Sequence, residues 1–520
     1  MSEALKAAKM LAKTTDWDDL SVEDRALLLG NKRWRMNNLY FIRDKAGDKV
    51  LFGMNYVQLW LLNNLWYLNI VLKARQMGFT TFIDLYILDE CLFNSGMEAG
   101  IIAHNKDDAS KIFRRKIKFP YDHLPSDIKE NVYPVSDSKT ELQFSNGSVI
   151  TVGVSFRSGT CQYLHISEHG KICAKYPDKA EEIKSGALEA IATGQIVFIE
   201  STAEGRGGDF FEYCETARNI QKEGIELTEM DYRFHFFPWW MDPSYVMINP
   251  ERVLITDSYK LYFDDLKRQH NILLTDAQKA WYVKKDVRLG DTMKREYPST
   301  PEEAFEASIK GSYWGDLIST IRQRRQIKSV PHDPALQVHT AWDLGRHDTN
   351  PIWFFQYHGN QFRIINYYEN SGEALAHYAG VLRKYHEDLN YVYGNHYMPH
   401  DIEVTDISVD KSRKQTLENL GLRSIITVKR EKDLDAMQGV DAVRDILPVC
   451  WFDKEKCDKG LAALEAYQKE WDDKHATFKN RPLHNWASHA GSAFKILAQG
   501  FQPTMGYSAS ELADEEEATY

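Results

Sequence analysis

The chain has 520 residues, 43% hydrophobic and 27% charged, with a formal net charge of −11. That length exceeds one ordinary core and predicts two or more domains. The balance is that of a soluble globular chain, with no run near the ~18 apolar residues of a membrane span, and the acidity argues against a constitutively bound nucleic-acid binder.

Part of the acidity sits in Glu511, Asp514, Glu515, Glu516 and Glu517. Residues 506–520 are therefore expected to form an acidic, disordered tail. The opening Met-Ser-Glu-Ala-Leu-Lys has no apolar run, so no secretory signal is expected. The six cysteines (91, 161, 173, 214, 450 and 457) include no CxxC pair. Neither a zinc site nor a disulfide framework is expected, which fits the cytosol.

In chain order, residues 1–50 read as an N-terminal segment with a helix near 3–13. Alternating strands and helices follow: a buried strand at 68–74, a helix at 79–93, a strand at 100–103 and a helix at 107–117. Two β-runs flank Asn146-Gly147, a strong hairpin signal. Strands at 163–166 and 196–199 enclose a helical stretch at 178–192. This alternation predicts an α/β domain over 51–325 with a mostly parallel, covered sheet. Residues 210–330 read as less regular and aromatic-rich, with Trp239, Trp240 and Tyr245 as core. The basic run Arg322, Arg324, Arg325 and Lys328, leading into Pro331 and Pro334, is expected as the linker. A second α/β unit spans 335–505. It holds a strand ending at Asp343, a hairpin through Gly359-Asn360, a helix at 374–387 and a strand running into Asp401.

Lys73-Ala-Arg-Gln-Met-Gly-Phe-Thr-Thr81 lies between a strand and a helix, where a P-loop cradles phosphates on backbone N–H groups. Gln76, Met77 and Gly78 would form the cradle, and Thr80 or Thr81 would offer a hydroxyl to Mg²⁺. A regular P-loop has lysine where this chain has Phe79. Either Arg75 or Lys73 must then supply the cation. An ordinary strand–turn–helix is the alternative. Tyr163-Leu-His-Ile-Ser-Glu168 reads as a Walker B strand, with Glu168 positioning water and Ser167 replacing the usual metal aspartate. Glu200, Ser201 and Thr202 end the next strand and suit a γ-phosphate sensor. Gln58 is a candidate adenine reader.

In the second unit, Asp343 and Asp401 end separate strands and Asp348 follows the first. The order of strand with Asp, hairpin, helix and strand with Asp is RNase H-like. Carboxylates so placed suit two-metal phosphodiester hydrolysis, although both are also ordinary turn and cap residues. Lys411, Arg413, Lys414, Arg423, Lys429 and Arg430 form a basic set suited to phosphate contacts or to a solvated face.

Together, Gln58, the 73–81 loop, Leu-His-Ile-Ser-Glu-His-Gly-Lys, Glu-Ser-Thr-Ala-Glu-Gly and Arg295-Glu-Tyr-Pro-Ser-Thr-Pro-Glu-Glu-Ala-Phe305 resemble the ATPase half of tailed-phage terminase large subunits. The likeness continues through Lys411-Ser-Arg-Lys and Pro482-Leu-His-Asn-Trp-Ala-Ser-His-Ala-Gly-Ser-Ala-Phe494. It implies a P-loop (ASCE-type) ATPase followed by an RNase H-like nuclease. Expected cofactors are ATP with Mg²⁺, and Mg²⁺ or Mn²⁺ in the nuclease. The implied motor drives double-stranded DNA into a procapsid and cuts concatemers. Implied partners are a portal protein, a small terminase subunit and further copies in a ring, a pentamer by resemblance, in the host cytoplasm and not in the mature virion. Arg157 is the candidate arginine completing a neighbour's site. The family's third acid falls at Ser492, and Asn485 stands where Asp is frequent. His489 is then a substitute ligand. The rival readings are a helicase or remodelling ATPase with an inactive RNase H-like domain, and a non-catalytic protein retaining both folds.

Overall fold

A computed structural model describes residues 17–156, 161–306, 311–344, 349–406, 411–428, 436–472, 475 and 477–501. The expected 3–13 helix, Arg157, Asp348, Lys429, Arg430 and the 506–520 tail lie outside the described residues. The chain divides into two compact units, Met1–Ala307 and Ser308–Tyr520. Among the described residues, no helix is long and apolar enough to cross a membrane.

In the first unit, β1 (Leu68–Lys73) is buried from Asn69 onward, as a strand covered on both faces must be. The other strands are β2 (Glu98–Ile102), β3 (Pro134–Asp137), β4 (Glu141–Phe144), β5 (Val149–Gly153), β6 (Cys161–Ser167), β7 (Ile191–Ser201) and β8 (Tyr232–Phe237). They form one sheet in the order β8-β1-β7-β6-β2-β5-β4-β3. The run from β8 to β5 is parallel, and β4 and β3 extend it antiparallel. Side chains alternate across the sheet. Ile70 and Leu72 join Leu164, Ile166 and Ile199 on one face, while Val71 joins Phe82, Ile83 and Phe198 on the other. The Asn146-Gly147 turn joins β4 to β5 as expected, with Gly147 at φ 85°.

Strand β7 separates β1 from β6, the strand expected to serve as Walker B. The two functional strand ends are therefore not neighbours; each borders β7. This inserted strand is the arrangement of the ASCE class. Four helices bear on these strand ends: α1 (Tyr56–Asn63), α2 (Phe79–Phe93), α3 (His169–Lys175) and α4 (Asp209–Lys222). The stretch from 210 is more regular than expected, since α4 is followed by helices at Asp257–His270, Asp276–Leu289 and Gly315–Gln323. Their apolar positions include several aromatics; Trp239 and Tyr245 are in the core as expected and stack on partly buried Trp281, while Trp240 packs against that core only partly buried.

The second unit holds β9 (Ile327–Lys328), β10 (Val338–Trp342), β11 (Thr349–His358), β12 (Gln361–Ser371), β13 (Tyr393–Pro399), β14 (Ile425–Val428) and β15 (Cys450–Asp453). Their order is β9-β15-β12-β11-β10-β13-β14. The antiparallel β12-β11-β10 meander followed by parallel β13 and β14 is the RNase H-like arrangement. Gly359 and Asn360 turn β11 into β12 with φ of 55° and 62°, the two positive values a type I′ hairpin requires. The expected linker at 322–334 belongs instead to this unit. Trp314, Ile318 and Ile321 enter its core, Gln326 Nε2 donates to Pro448 and Cys450 carbonyls, and β9 pairs with β15. The division between units precedes it, because these buried apolar residues outweigh the basic character that suggested exposed chain. A further helix, α5 (Ser488–Gly500), packs against β10 and β11.

Candidate active sites

The loop between β1 and α2 turns through Gln76 at φ 63° and Gly78 at φ 79°. Gly78 is the N-cap of α2 and makes no side-chain cap. The first amides of α2, with the helix dipole behind them, therefore lack a side-chain acceptor at the cap, as an anion cradle requires. Gln76 and Gly78 are exposed, whereas Met77 is buried. Helix α1 braces the loop. Gln58 Nε2 donates to Gly78 O at 2.9 Å, and Asn55 Nδ2 donates to Met77 O at 3.2 Å. Gln58 Oε1 meanwhile accepts from Asn55 N in a capping box. Both ends of the Gln58 amide are thus engaged in shaping the loop, not turned outward as an adenine reader would be.

Phe79, at the position of the missing lysine, is buried against Phe237 with ring centroids 4.4 Å apart. Arg75 points the other way, to Glu296 at 3.0 Å, with its side chain 58% exposed. Lys73 ends β1 inside the site. Its Nζ lies 3.1 Å from Glu168 Oε1 and 3.0 Å from Glu200 Oε2. Burial alone would lower the Lys73 pKa, but the two carboxylates outweigh it and raise the pKa.

Glu200 is the centre of the cluster. Its Oε1 accepts from Thr80 Oγ1 at 2.7 Å and from Ser167 Oγ at 2.9 Å. Burial opposes its charge, yet Lys73 and His165 hold its pKa well below the usual carboxylate range. His165 Nδ1 sits 2.7 Å from Asp84 on α2. Burial opposes its protonation too, but Asp84 and then Glu200 raise its pKa to about 9. Three carboxylates, Asp84, Glu168 and Glu200, thus face Lys73, protonated His165 and Lys116, with Lys171 3.8 Å from Glu168. Hydroxyl and carboxylate oxygens at Thr80, Ser167 and Glu200 are the hard donors that suit Mg²⁺.

Glu168 begins α3 at φ 57°, ψ 44°, a left-handed conformation that costs a non-glycine residue about 1–3 kcal/mol. That turn holds a quarter-exposed carboxylate at the strand tip. Ser201 and Thr202 are buried behind it, and a Cβ on Gly170 would lie 2.8 Å from Thr202 O. The structure brings Lys73, Thr80, Glu168, Ser167 and Glu200 together, and leaves Arg75 outside the cluster. Sequence reasoning missed Asp84 and His165, and placed Glu200 in the phosphate sensor instead of at the centre. It also passed over Lys116, in a π-helix at Phe113–Lys118. Burial lowers the Lys116 pKa, while Asp84 and Glu200 act to raise it. Charged residues on apolar helices and strands were the available signal.

In the second unit, Asp343 follows β10 and Asp401 follows β13, its parallel neighbour. Asp343 Oδ2 lies 3.1 Å from His489 Nδ1 on α5. Ser492, one helical turn on, is half-buried on the same helix. Asp401 Oδ1 is buried with no hydrogen-bond partner among the described residues. A buried, unpartnered carboxylate oxygen fits a cation ligand. Asp343, Asp401 and His489 do not, however, close into a set with ligand atoms all within 4.8 Å. Arg413 Nη1 donates to Leu344 O at 3.1 Å, beside the same strand end. Asn485 is spent on structure: its Oδ1 accepts from Ala487 N, and its backbone N donates to Ser488 Oγ.

Strand order places an ASCE-type P-loop fold in the first unit and an RNase H-like fold in the second. Structural matches to phage large terminases cover most of the chain. The large terminase of a thermophilic bacteriophage aligns over 86% of this chain and 99% of its own, at 12% identity and a TM-score of 0.29. The large terminase ATPase domain of Thermus phage P74-26 aligns over 49% of this chain and 94% of its own, at 17% identity and a TM-score of 0.34. The large terminase nuclease domain from bacteriophage SPP1, solved with bound Mn, aligns over 32% and 91%, at 15% identity and a TM-score of 0.26. No family model matches the sequence. No curated protein matches it either.

Proposed function

We propose that the chain is the ATP-hydrolysing motor and nuclease of viral DNA packaging. The observation that supports this best is the cluster of Lys73, Thr80, Ser167, Glu168 and Glu200 at the glycine turn after β1. ATP phosphates bind the amides at the start of α2, and Glu168 orients the attacking water. Thr80, Ser167 and Glu200 would hold Mg²⁺, which would neutralise phosphate charge. Lys73 bridges Glu168 and Glu200 and offsets their mutual repulsion. Arg75 exchanges Glu296 for phosphate, replacing the cation that Phe79 lacks. Arg157 acts across the contact with a neighbouring copy. Ser201 and Thr202 link phosphate loss to motion of the loop that follows β7.

In the second unit, Asp343, Asp401 and His489 would hold Mg²⁺ or Mn²⁺, which would supply an activated water for phosphodiester cleavage. Ser492 provides no charge there. Double-stranded DNA, a portal protein, a small terminase subunit and a ring of copies on the procapsid complete the machine, which works in the host cytoplasm. ATPase activity of the full chain that falls at least ~100-fold in Glu168→Gln is the expected result. Activity unchanged by that substitution overturns the motor reading. For the nuclease, supercoiled plasmid is incubated with Mn²⁺ or Mg²⁺ beside Asp401→Ala. Equal cutting by both proteins defeats the metal assignment.

A further inference from the structure

A second cluster lies behind the ATPase cluster and takes no part in the chemistry above. His169 and Cys173 stand four residues apart on one face of α3, and Asp209 opens α4. One ligand atom from each of the three lies within 4.8 Å of the others, the only such set of three among the described residues. Cys173 Sγ and His169 Nε2 are 3.6 Å apart. Zinc bonds of about 2.0 Å to nitrogen and about 2.3 Å to sulfur, at a tetrahedral angle, place those atoms about 3.6 Å apart.

Both α3 residues are almost wholly buried, and the ring nitrogen that faces the thiol is Nε2. Asp209 Oδ1 accepts from Lys184 Nζ at 2.8 Å, which orients the carboxylate. A Cβ on Gly208 would sit 3.0 Å from Cys173 Cβ, so glycine there lets α4 begin against the sulfur.

We propose that His169, Cys173 and Asp209 form a zinc site that ties the helix following Glu168 to α4. Thiolate, imidazole and carboxylate are a borderline-soft donor set, suited to Zn²⁺ and poorly suited to Mg²⁺. On binding, the Cys173 thiol proton leaves to solvent and a sulfur–zinc bond replaces it. The thiolate and the Asp209 carboxylate together balance the dication. A tie at this place fixes the left-handed turn that presents Glu168, independently of whether the strand tip hydrolyses ATP.

The test uses the full chain, stripped of metal and titrated with Co²⁺ and then Zn²⁺. A thiolate-to-cobalt charge-transfer band that zinc abolishes is expected, with about one zinc per chain by elemental analysis. Cys173→Ser should lose the band, whereas Cys214→Ser, a buried thiol outside the cluster, should keep it. No band in the wild type, or a band retained in Cys173→Ser, overturns the site. Should Cys173→Ser fail to fold, X-ray absorption at the zinc edge of the wild type decides. One sulfur and one imidazole bound to zinc are expected, and oxygen ligands alone refute the proposal.

Discussion

Replacing Lys73 with methionine removes a charge while keeping most of the side-chain volume. In the wild type, its ammonium lies 3.0 Å from Glu200 and 3.1 Å from Glu168. At an effective dielectric of about 20, each contact is worth about 5 kcal/mol before desolvation. The Glu168 contact is discounted because that side chain is a quarter exposed. Glu200 has no exposure at all and would be left as a buried carboxylate with His165, 3.6 Å away, as its remaining ion-pair partner and Lys116 nearby. Breaking a buried pair on one side costs about 3–5 kcal/mol. For a unit of this size that lowers the melting temperature by roughly 10 °C. Calorimetry of Lys73→Met against wild type at pH 7 measures it, and Lys73→Met/Glu200→Gln should recover most of the loss. A shift of less than about 2 °C, or no recovery in the double variant, would refute the claim that Lys73 compensates a buried Glu200 charge.

Other outcomes follow from the same geometry. His165 has a folded pKa raised to about 9, so its stabilisation is full below the unfolded value near 6.5 and is lost as pH rises through about 9. The first unit should therefore melt progressively lower between those pH values, and His165→Gln should flatten that part of the profile. Gly78→Ala forces a Cβ to 2.7 Å from Gln58 Nε2 at φ 79°. Nucleotide affinity, read by fluorescent-ATP titration, should drop at least tenfold while the melting temperature shifts by only a few degrees. In the second unit, Ser492→Asp adds an oxygen ligand one turn from His489. Mg²⁺-supported plasmid cutting should rise relative to Mn²⁺-supported cutting, and an unchanged ratio would place Ser492 away from the metal.

The elements set by local pattern were legible in the residues. The buried run of β1, the helix at Phe79–Phe93, and the Asn146-Gly147 and Gly359-Asn360 hairpins each follow from apolar periodicity and from turn residues able to adopt positive φ. The pairing of a glycine turn with Lys73 and Glu168 was legible as an ordered set of motifs. Interactions between distant segments were not. Glu200 looks like one polar residue in a Glu-Ser-Thr strand end, and only the insertion of β7 between β1 and β6 puts its carboxylate against Lys73, Thr80 and Ser167.

The same distinction explains the misplaced linker and the unforeseen His169–Cys173–Asp209 cluster. Residues 322–328 carry the charge of exposed chain, but β9 finds its hydrogen-bond partner in β15, more than a hundred residues on. Metal spacing sought as CxxC passes over ligands drawn from two helices. Amino-acid order alone determined which segments become strands, helices and turns, because those depend on neighbours within a few residues. Tertiary structure decided which charges face one another, because a buried ion pair or ligand set depends on the order in which strands lie side by side.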